Sequence, residues 1–150
     1  MELILWRHAE AEDGSPDDAR PLTAKGEKQA AKMATFLRAT LPHDTRVLVS
    51  PAKRARQTAH AFTNHFTTEP AIGPGAPPEA ILKAANWPDG EGSVLIVGHQ
   101  PTLGETAALL MAGHAACWSI KKGAVWWFSR RAREGDDQTS LRLVIGPDHL

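Results

Sequence analysis

The stretch Glu2-Leu3-Ile4-Leu5-Trp6-Arg7-His8 sets a nearly continuous apolar run directly before two polar side chains. Two later segments repeat the pattern: Arg46–Val49 is followed by Ser50-Pro51, and Ser93–Val97 is followed by Gly98-His99. Short runs that are apolar throughout are typical of strands covered on both faces. The sequence therefore predicts three buried strands, Glu2–Trp6 being the first, each with polar residues at its carboxyl end.

Helical patterns separate these strands, which favours an α/β domain with a mostly parallel sheet. Ala30, Met33, Ala34 and Leu37 form one apolar helical face. The predicted helices are Ala24–Ala39 with Thr23 as N-cap, Pro51 to about Phe66 with Ser50 as N-cap, Glu79–Ala85, and Leu103–Met111 opened by a capping box from Thr102 to Glu105. Ala124–Phe128 and Leu141–Ile145 are predicted as a terminal antiparallel pair. We expect a single domain over residues 1–150.

Composition excludes several classes of protein. The 150 residues carry 17 Lys+Arg and 17 Asp+Glu, and this zero net charge argues against a general nucleic-acid or anionic-membrane binder. The longest later apolar stretch, residues 107–112, is far shorter than the ~20 residues that span a bilayer. The N-terminus lacks the pattern of a secretory signal. The single cysteine, Cys117, excludes an internal disulfide and is expected to be buried. We expect a soluble, cytoplasmic protein.

The polar residues at the strand ends indicate a phosphate site. If the three strands are parallel, His8 and His99 meet at one edge of the sheet, together with Arg7 and Arg54. Arginine binds phosphate oxygens through two parallel hydrogen bonds, and a neutral imidazole can attack phosphorus to form a covalent phosphohistidine. No metal or cofactor is needed for this chemistry. The other histidines have no comparable setting, and no metal site is expected from them: His43, His60, His65, His114 and His149.

Each of these features also has a simpler interpretation when taken alone. Arg54 and Arg56 would suit a solvated helix face, and His99 would suit a turn. The acidic run from Glu10 to Asp18 is either a solvated loop or a charged rim of the site. The coincidence of polar residues at three consecutive strand ends is what indicates a functional site.

Four segments of the chain resemble the histidine phosphatase superfamily, and within it the short SixA-type phosphohistidine phosphatases. The resemblance implies a three-layer α/β/α fold like that of phosphoglycerate mutase. It implies that His8 is the phosphate-accepting nucleophile, that Arg7 and Arg54 clamp the phosphate, and that His99 completes the pocket. Ser50, at the end of the second strand, is expected to join the two arginines in binding substrate. The matching segments are Leu3–Ala11, Arg20–Gly26, Val47–Ala59 and Val94–Pro101.

The chain departs from the superfamily pattern at two points. Ala9 replaces the usual glycine after Arg-His, and the chain is too short for the large insert that often supplies a general acid. The candidates for that acid are Glu79, Glu10 and Glu12. An imidazole leaves phosphorus more readily than an alkoxide does, so a weak or missing acid favours a phosphohistidine-containing signalling protein as substrate. The alternatives are a phosphatase of small phosphomonoesters on the same site, and a non-catalytic phosphoprotein-binding module.

Overall fold

The fold is an α/β layered structure around one mixed sheet. The computed structural model describes residues 1–133 and 136–150. The strands run in the order β3-β2-β4-β1-β5-β6; β1, β2, β3 and β4 are parallel, whereas β5 is antiparallel to β1 and β6 to β5. The strands are β1 (Glu2–Arg7), β2 (Arg46–Val49), β3 (Thr67–Thr68), β4 (Ser93–Gly98), β5 (Val125–Arg133) and β6 (Asp136–Ile145).

Helices cover both faces of the sheet, as the apolar strands predict. On one face, α1 (Ala24–Thr40) and α2 (Lys53–Phe62) pack against alternate residues of the strands, such as Ile4 and Trp6. On the other face, α3 (Pro78–Ala85) and α4 (Thr102–Ala112) pack against the intervening residues, such as Leu3 and Leu5. All four of these β1 side chains are 0% exposed. The burial of β1 on both faces holds its carboxyl end rigidly in place.

The start of α1 is formed as the sequence predicts. The Thr23 hydroxyl accepts a hydrogen bond from the Gly26 N–H at 2.9 Å, and Thr23 is therefore the N-cap. Gly26 is needed for close packing, because a Cβ there would lie 2.0 Å from the Glu10 carbonyl oxygen. This contact brings the start of α1 against the segment that follows β1.

Two predicted helix starts are wrong. α2 begins at Lys53, with Ala52 as its N-cap, so Ser50 does not cap it and Pro51 is not its first residue; it ends at Phe62 instead of Phe66. α4 begins at Thr102 without the predicted capping box. The Thr102 hydroxyl instead donates to the carbonyl oxygen of Ala76, in a distant part of the chain. At Thr102 a local signal thus yields to a tertiary hydrogen bond.

The C-terminal strands are longer than predicted, and the structure adds a short strand that the sequence pattern does not indicate. The pairing of β5 with β6 runs from Val125 opposite Ile145 to Arg133 opposite Asp136, and so includes most of the polar stretch that the sequence predicts as their connection. Residues 134 and 135 of that stretch lie outside the described residues. Strand β3 lies in what was predicted as a long connection. Cys117 is exposed, not buried. In the described part of the chain, no helix has the length and apolarity to cross a membrane.

Candidate active site

The carboxyl ends of β1, β2 and β4 bring the two strand-end histidines together. The backbone N–H of His8 donates to the Gly98 carbonyl at 3.1 Å, and that of Ser50 donates to the Val97 carbonyl at 3.0 Å. The rings of His8 and His99 lie 5.1 Å apart between centroids, inclined at 54°. The parallel pairing of three strands thus places side chains from distant parts of the sequence at one point of the sheet edge.

The His8 side chain is held in the form suited to attack. Its Nδ1 lies 2.8 Å from the Ala9 carbonyl oxygen. A carbonyl oxygen only accepts, so Nδ1 carries the proton and Nε2 of the neutral ring has a free lone pair. Burial lowers the pKa of His8 to about 4, and the charges of Arg54, Arg7 and Arg20 lower it as well, against the opposing effect of the Ala9 hydrogen bond. His8 is therefore neutral at pH 7.

His99 is oriented by the hydroxyl of Ser50, whose Oγ lies 2.6 Å from His99 Nε2. That Oγ also accepts the Ala52 N–H at 3.2 Å, and among the described residues Nε2 is the acceptor left for the hydroxyl proton. We assign the Ser50 hydroxyl as the donor to Nε2, which puts the proton of neutral His99 on Nδ1. Burial lowers the pKa of His99 to about 3; a proton on His8 and the charges of Arg54 and Arg7 lower it as well, and Asp17 opposes them.

The two arginines approach the histidines with part of their hydrogen-bonding capacity unused. Arg54 is 4% exposed, and Arg7 donates through Nη1 to the Ile120 carbonyl at 2.9 Å. Within the described residues, the buried side-chain nitrogens and oxygens without any partner are Arg7 Nε, Arg54 Nε and His99 Nδ1. Such atoms are rare because leaving one unpaired costs about 1–3 kcal/mol. All three belong to the four residues singled out at the strand ends.

Two further residues hold this cluster in shape: Thr58, which the sequence pattern does not single out, and Asp17 of the acidic run. Thr58, 0% exposed, accepts the Ala9 N–H at 3.1 Å and donates to the Arg54 carbonyl at 2.8 Å. Asp17, from the acidic run, forms ion pairs with Arg54 and with Arg20, each at 3.0 Å. Asp17 is exposed, as a solvated loop predicts, but its ion pair with Arg54 also connects this run to the cluster. Position in a matching segment could have drawn attention to Thr58, whereas no local signal marks Asp17 among five nearby carboxylates.

The candidates for the general acid occupy different surroundings. The Glu10 carboxylate accepts a hydrogen bond from the Thr23 hydroxyl at 2.8 Å, at the start of α1. The Glu12 side chain is exposed, and its backbone carbonyl accepts from Arg20 Nε at 2.7 Å. Glu79 is exposed in the first turn of α3. None of the three carboxylates forms a hydrogen bond or ion pair with the cluster at the strand ends.

The donor set is suited to an anion. In residues 1–133 and 136–150, no group of three or more His, Cys, Asp or Glu side chains is arranged to hold a metal ion. The cluster instead combines two guanidinium groups and a neutral imidazole N–H beside a free imidazole lone pair. Such a set can bind a tetrahedral oxyanion and offer a nucleophile to its central atom.

Residues 3–75 match the model of the histidine phosphatase superfamily (branch 1). Over 123 residues the chain is 32% identical to the phosphohistidine phosphatase SixA of Escherichia coli, covering 75% of this chain and 76% of that protein. The chain belongs to the histidine phosphatase superfamily. This membership places it among the phosphatases.

Two further comparisons extend over nearly the whole chain. An uncharacterized protein of Picosynechococcus sp. is 36% identical over 165 aligned positions, which cover 100% of this chain and 99% of that protein. The solved structure of the protein histidine phosphatase SixA complexed with tungstate superposes with a TM-score of 0.82 at 25% identity, covering 99% of each chain. The α/β fold expected from the sequence is thus confirmed, including the part after residue 75.

Proposed function

We propose that the protein is a metal-independent phosphatase that passes through a phosphohistidine intermediate on His8 and removes the phosphoryl group from a phosphohistidine side chain of another protein. The carrying observation is that the three unpartnered buried atoms of the described chain, Arg7 Nε, Arg54 Nε and His99 Nδ1, all belong to one cluster. Three N–H donors beside a nucleophilic nitrogen complement a phosphoryl group. Tungstate, bound in the SixA structure, is a tetrahedral oxyanion of the same type.

The first chemical step uses the lone pair on His8 Nε2. It attacks phosphorus in line with the bond to the substrate nitrogen, and the new N–P bond forms while the old one breaks. The substrate ring, protonated on its other nitrogen, retains the electron pair of the broken bond and leaves as neutral imidazole. Arg7, Arg54 and the Nδ1–H of His99 hold the equatorial oxygens, where charge is concentrated in the transition state. Preorganised donors in a buried site act more strongly than they would in water.

The second step returns the enzyme to its starting form. A water molecule attacks the phosphorus of phosphorylated His8, the N–P bond breaks toward Nε2, and inorganic phosphate leaves. The hydrogen bond from Nδ1 to the Ala9 carbonyl keeps the ring in one orientation throughout. Splitting one displacement into two in this way is the general advantage of covalent catalysis.

A protein substrate is supported by the surroundings of Arg7. A cleft of about 910 Å³ that is open to the surface is lined by Arg7, Lys121, Lys122, Trp126 and Val144. His8, Arg54 and His99 do not line it, so it is a surface next to the cluster and not the phosphate site itself. None of the three acid candidates forms a hydrogen bond or ion pair with the cluster, which suits a leaving imidazole better than an alkoxide. The relatives named SixA are phosphohistidine phosphatases, and we extend that substrate class, together with a role in signalling inside the cytoplasm, to this chain.

The test compares substrates on the purified protein. A peptide phosphorylated on histidine should be hydrolysed with a kcat/KM at least ~100-fold above those of sugar phosphates, nucleotides and phosphoserine peptides, in the presence of a chelator. Equal or better turnover of a small phosphomonoester would favour the alternative substrate class. Binding of the phosphopeptide without release of phosphate, from it or from an aryl phosphate, would indicate a binding module.

A further inference from the structure

The contact between Asp17 and Arg54 uses one particular edge of the guanidinium group. Arg54 Nη1 donates to the backbone carbonyl of Asp17 at 2.8 Å, and Nη2 donates to its Oδ2 at 3.0 Å. Both bonds therefore engage the end of the fork, the edge formed by the two terminal nitrogens. The second carboxylate oxygen, Oδ1, is held by Arg20 Nη1 at 3.0 Å.

The edge of Arg54 that remains is the one that suits a phosphate. A guanidinium group has five N–H bonds, and the Nε–H and the second Nη2–H lie side by side on one edge. Arg54 Nε is buried and unpartnered. With its end held by Asp17, Arg54 offers this side edge as a pair of parallel donors, which matches two oxygens of a tetrahedral anion.

We infer that Asp17 is a positioning residue for anion binding: it clamps the end of the Arg54 guanidinium so that the side edge faces the phosphoryl group. This inference rests on the proposed function, since it assigns how that same site orients its substrate. Asp17 itself does not touch the reacting atoms. Nor is it a proton donor, because the hydrogen bonds from Arg20 and Arg54 lower the pKa of Asp17 and keep it ionised.

Two opposing effects decide the direction of the expected change. The negative charge of Asp17 repels a bound dianion, but its side chain is 55% exposed, so water and salt screen that repulsion. The Arg54 side chain is 5% exposed and depends on its few partners for its orientation. A small displacement of a positioning group can cost ~100-fold in rate. Orientation therefore outweighs repulsion, and loss of Asp17 weakens anion binding.

The experiment measures tungstate binding by calorimetry, which needs no turnover and so separates this inference from the proposed reaction. We expect Asp17→Ala to weaken tungstate binding ~10-fold or more. Asp17→Asn, which keeps an oxygen acceptor for Nη2–H, should stay within ~3-fold of the unsubstituted protein. The matched control is Asp18→Ala, which removes an exposed carboxylate next to Asp17 and should leave binding unchanged.

A double-mutant cycle distinguishes positioning from a general structural effect. Lysine has no fork to orient, so in an Arg54→Lys background Asp17→Ala should change tungstate affinity less than ~2-fold. The ratio of kcat/KM values for a phosphohistidine peptide should follow the same pattern, and the thermal midpoint should not change. Tighter binding in Asp17→Ala, no change, an Asp17→Asn loss equal to that of Asp17→Ala, or equal losses in both backgrounds would overturn the inference.

Discussion

The polar side chains at the two ends of strand β1 differ in how fully they are hydrogen-bonded within the protein. At the amino end, the Glu2 carboxylate accepts hydrogen bonds from Trp127 Nε1 at 3.1 Å, from the Ser129 hydroxyl and from the Arg142 guanidinium. At the carboxyl end, Arg7 Nε has no partner within the described chain, and it lies in a cluster with two further unpartnered atoms. The carboxylate at the amino end thus accepts three internal hydrogen bonds, whereas the guanidinium at the carboxyl end has a buried N–H donor without a protein partner.

The difference separates a structural role from a binding role. Hydrogen bonds around Glu2 connect β1 to β5 and β6 and lower the pKa of its carboxyl group, although burial acts in the opposite direction. At the other end, donors without a protein partner cost stability, and a bound anion that accepts their hydrogen bonds compensates that cost. Substitutions at the two ends should therefore affect different measurements.

The largest expected effect is on turnover in His8→Asn. Asparagine has similar polarity but no nitrogen lone pair that can attack phosphorus, so kcat for a phosphohistidine peptide should fall by ~10⁴-fold or more, as for other nucleophile deletions. Stability should change little. The steady-state rate of phosphate release measures this effect. A variant that keeps a tenth of the original activity would refute the assignment of His8 as the nucleophile.

The role of Arg54 in holding phosphate is tested by comparing its removal with that of Arg56, a neighbouring arginine on the same helix. Arg54→Ala removes two donors to the transition state and should lower kcat/KM by ~10²–10³-fold. Arg56→Ala is the matched control: Arg56 is exposed and donates through Nε to the Pro51 carbonyl, so its removal should cost less than ~3-fold. Equal losses in the two variants would indicate a general electrostatic effect instead of a clamp.

The site histidines should make the free protein sensitive to acid. The pKa values of His8 and His99 lie at about 4 and about 3, below the ordinary value of 6.5, so the unfolded chain binds more protons as the pH falls below 6.5. Stability is therefore fully present above that pH and declines below it. At pH 5 each histidine should cost about 2 kcal/mol of unfolding free energy relative to pH 7.

Urea unfolding at the two pH values measures this loss. His8→Asn and His99→Asn should each lose correspondingly less stability between pH 7 and pH 5. The exposed His60 provides the control, and His60→Asn should behave like the unsubstituted protein. If the two site variants were as acid-sensitive as the unsubstituted protein, both histidines would titrate normally.

The smallest effect on activity is expected at the amino end of β1. Glu2→Ala removes the acceptor of three hydrogen bonds and should lower the free energy of unfolding by about 1–3 kcal/mol, with kcat/KM unchanged within ~2-fold. Glu91→Ala, which removes an exposed carboxylate near the same end, should be neutral in both respects. A fall in kcat/KM well beyond ~2-fold in Glu2→Ala, with the free energy of unfolding unchanged, would contradict a purely structural role for the amino end of β1.

The sequence predicts most of the features that depend on residues close together along the chain. The apolar runs ending at Trp6, Val49 and Val97 locate the buried strands, and their parallel pairing follows from the helices between them. The Thr23 cap follows from its own neighbours. The same reasoning brings both strand-end histidines to one edge of the sheet, where the structure places their rings in proximity.

Hydrogen bonds between distant segments could not be predicted from the sequence. Ser50 resembles an N-cap, but its hydroxyl is directed to His99, 49 positions away. Thr102 resembles the start of a capping box, but it donates to Ala76. Asp17 is one of several carboxylates in its segment, and only the folded chain selects it as the partner of Arg54. The roles of such groups depend on tertiary neighbours, which periodicity and spacing do not encode.

The most direct test of the central claim is to trap the phosphoenzyme. The protein is mixed with a phosphohistidine peptide, quenched rapidly in denaturant at alkaline pH, digested, and analysed by mass spectrometry. We expect an acid-labile phosphoryl group on the peptide that contains His8, and its absence from the His8→Asn variant. A phosphoryl group on another residue, or steady phosphate release by His8→Asn, would contradict the account.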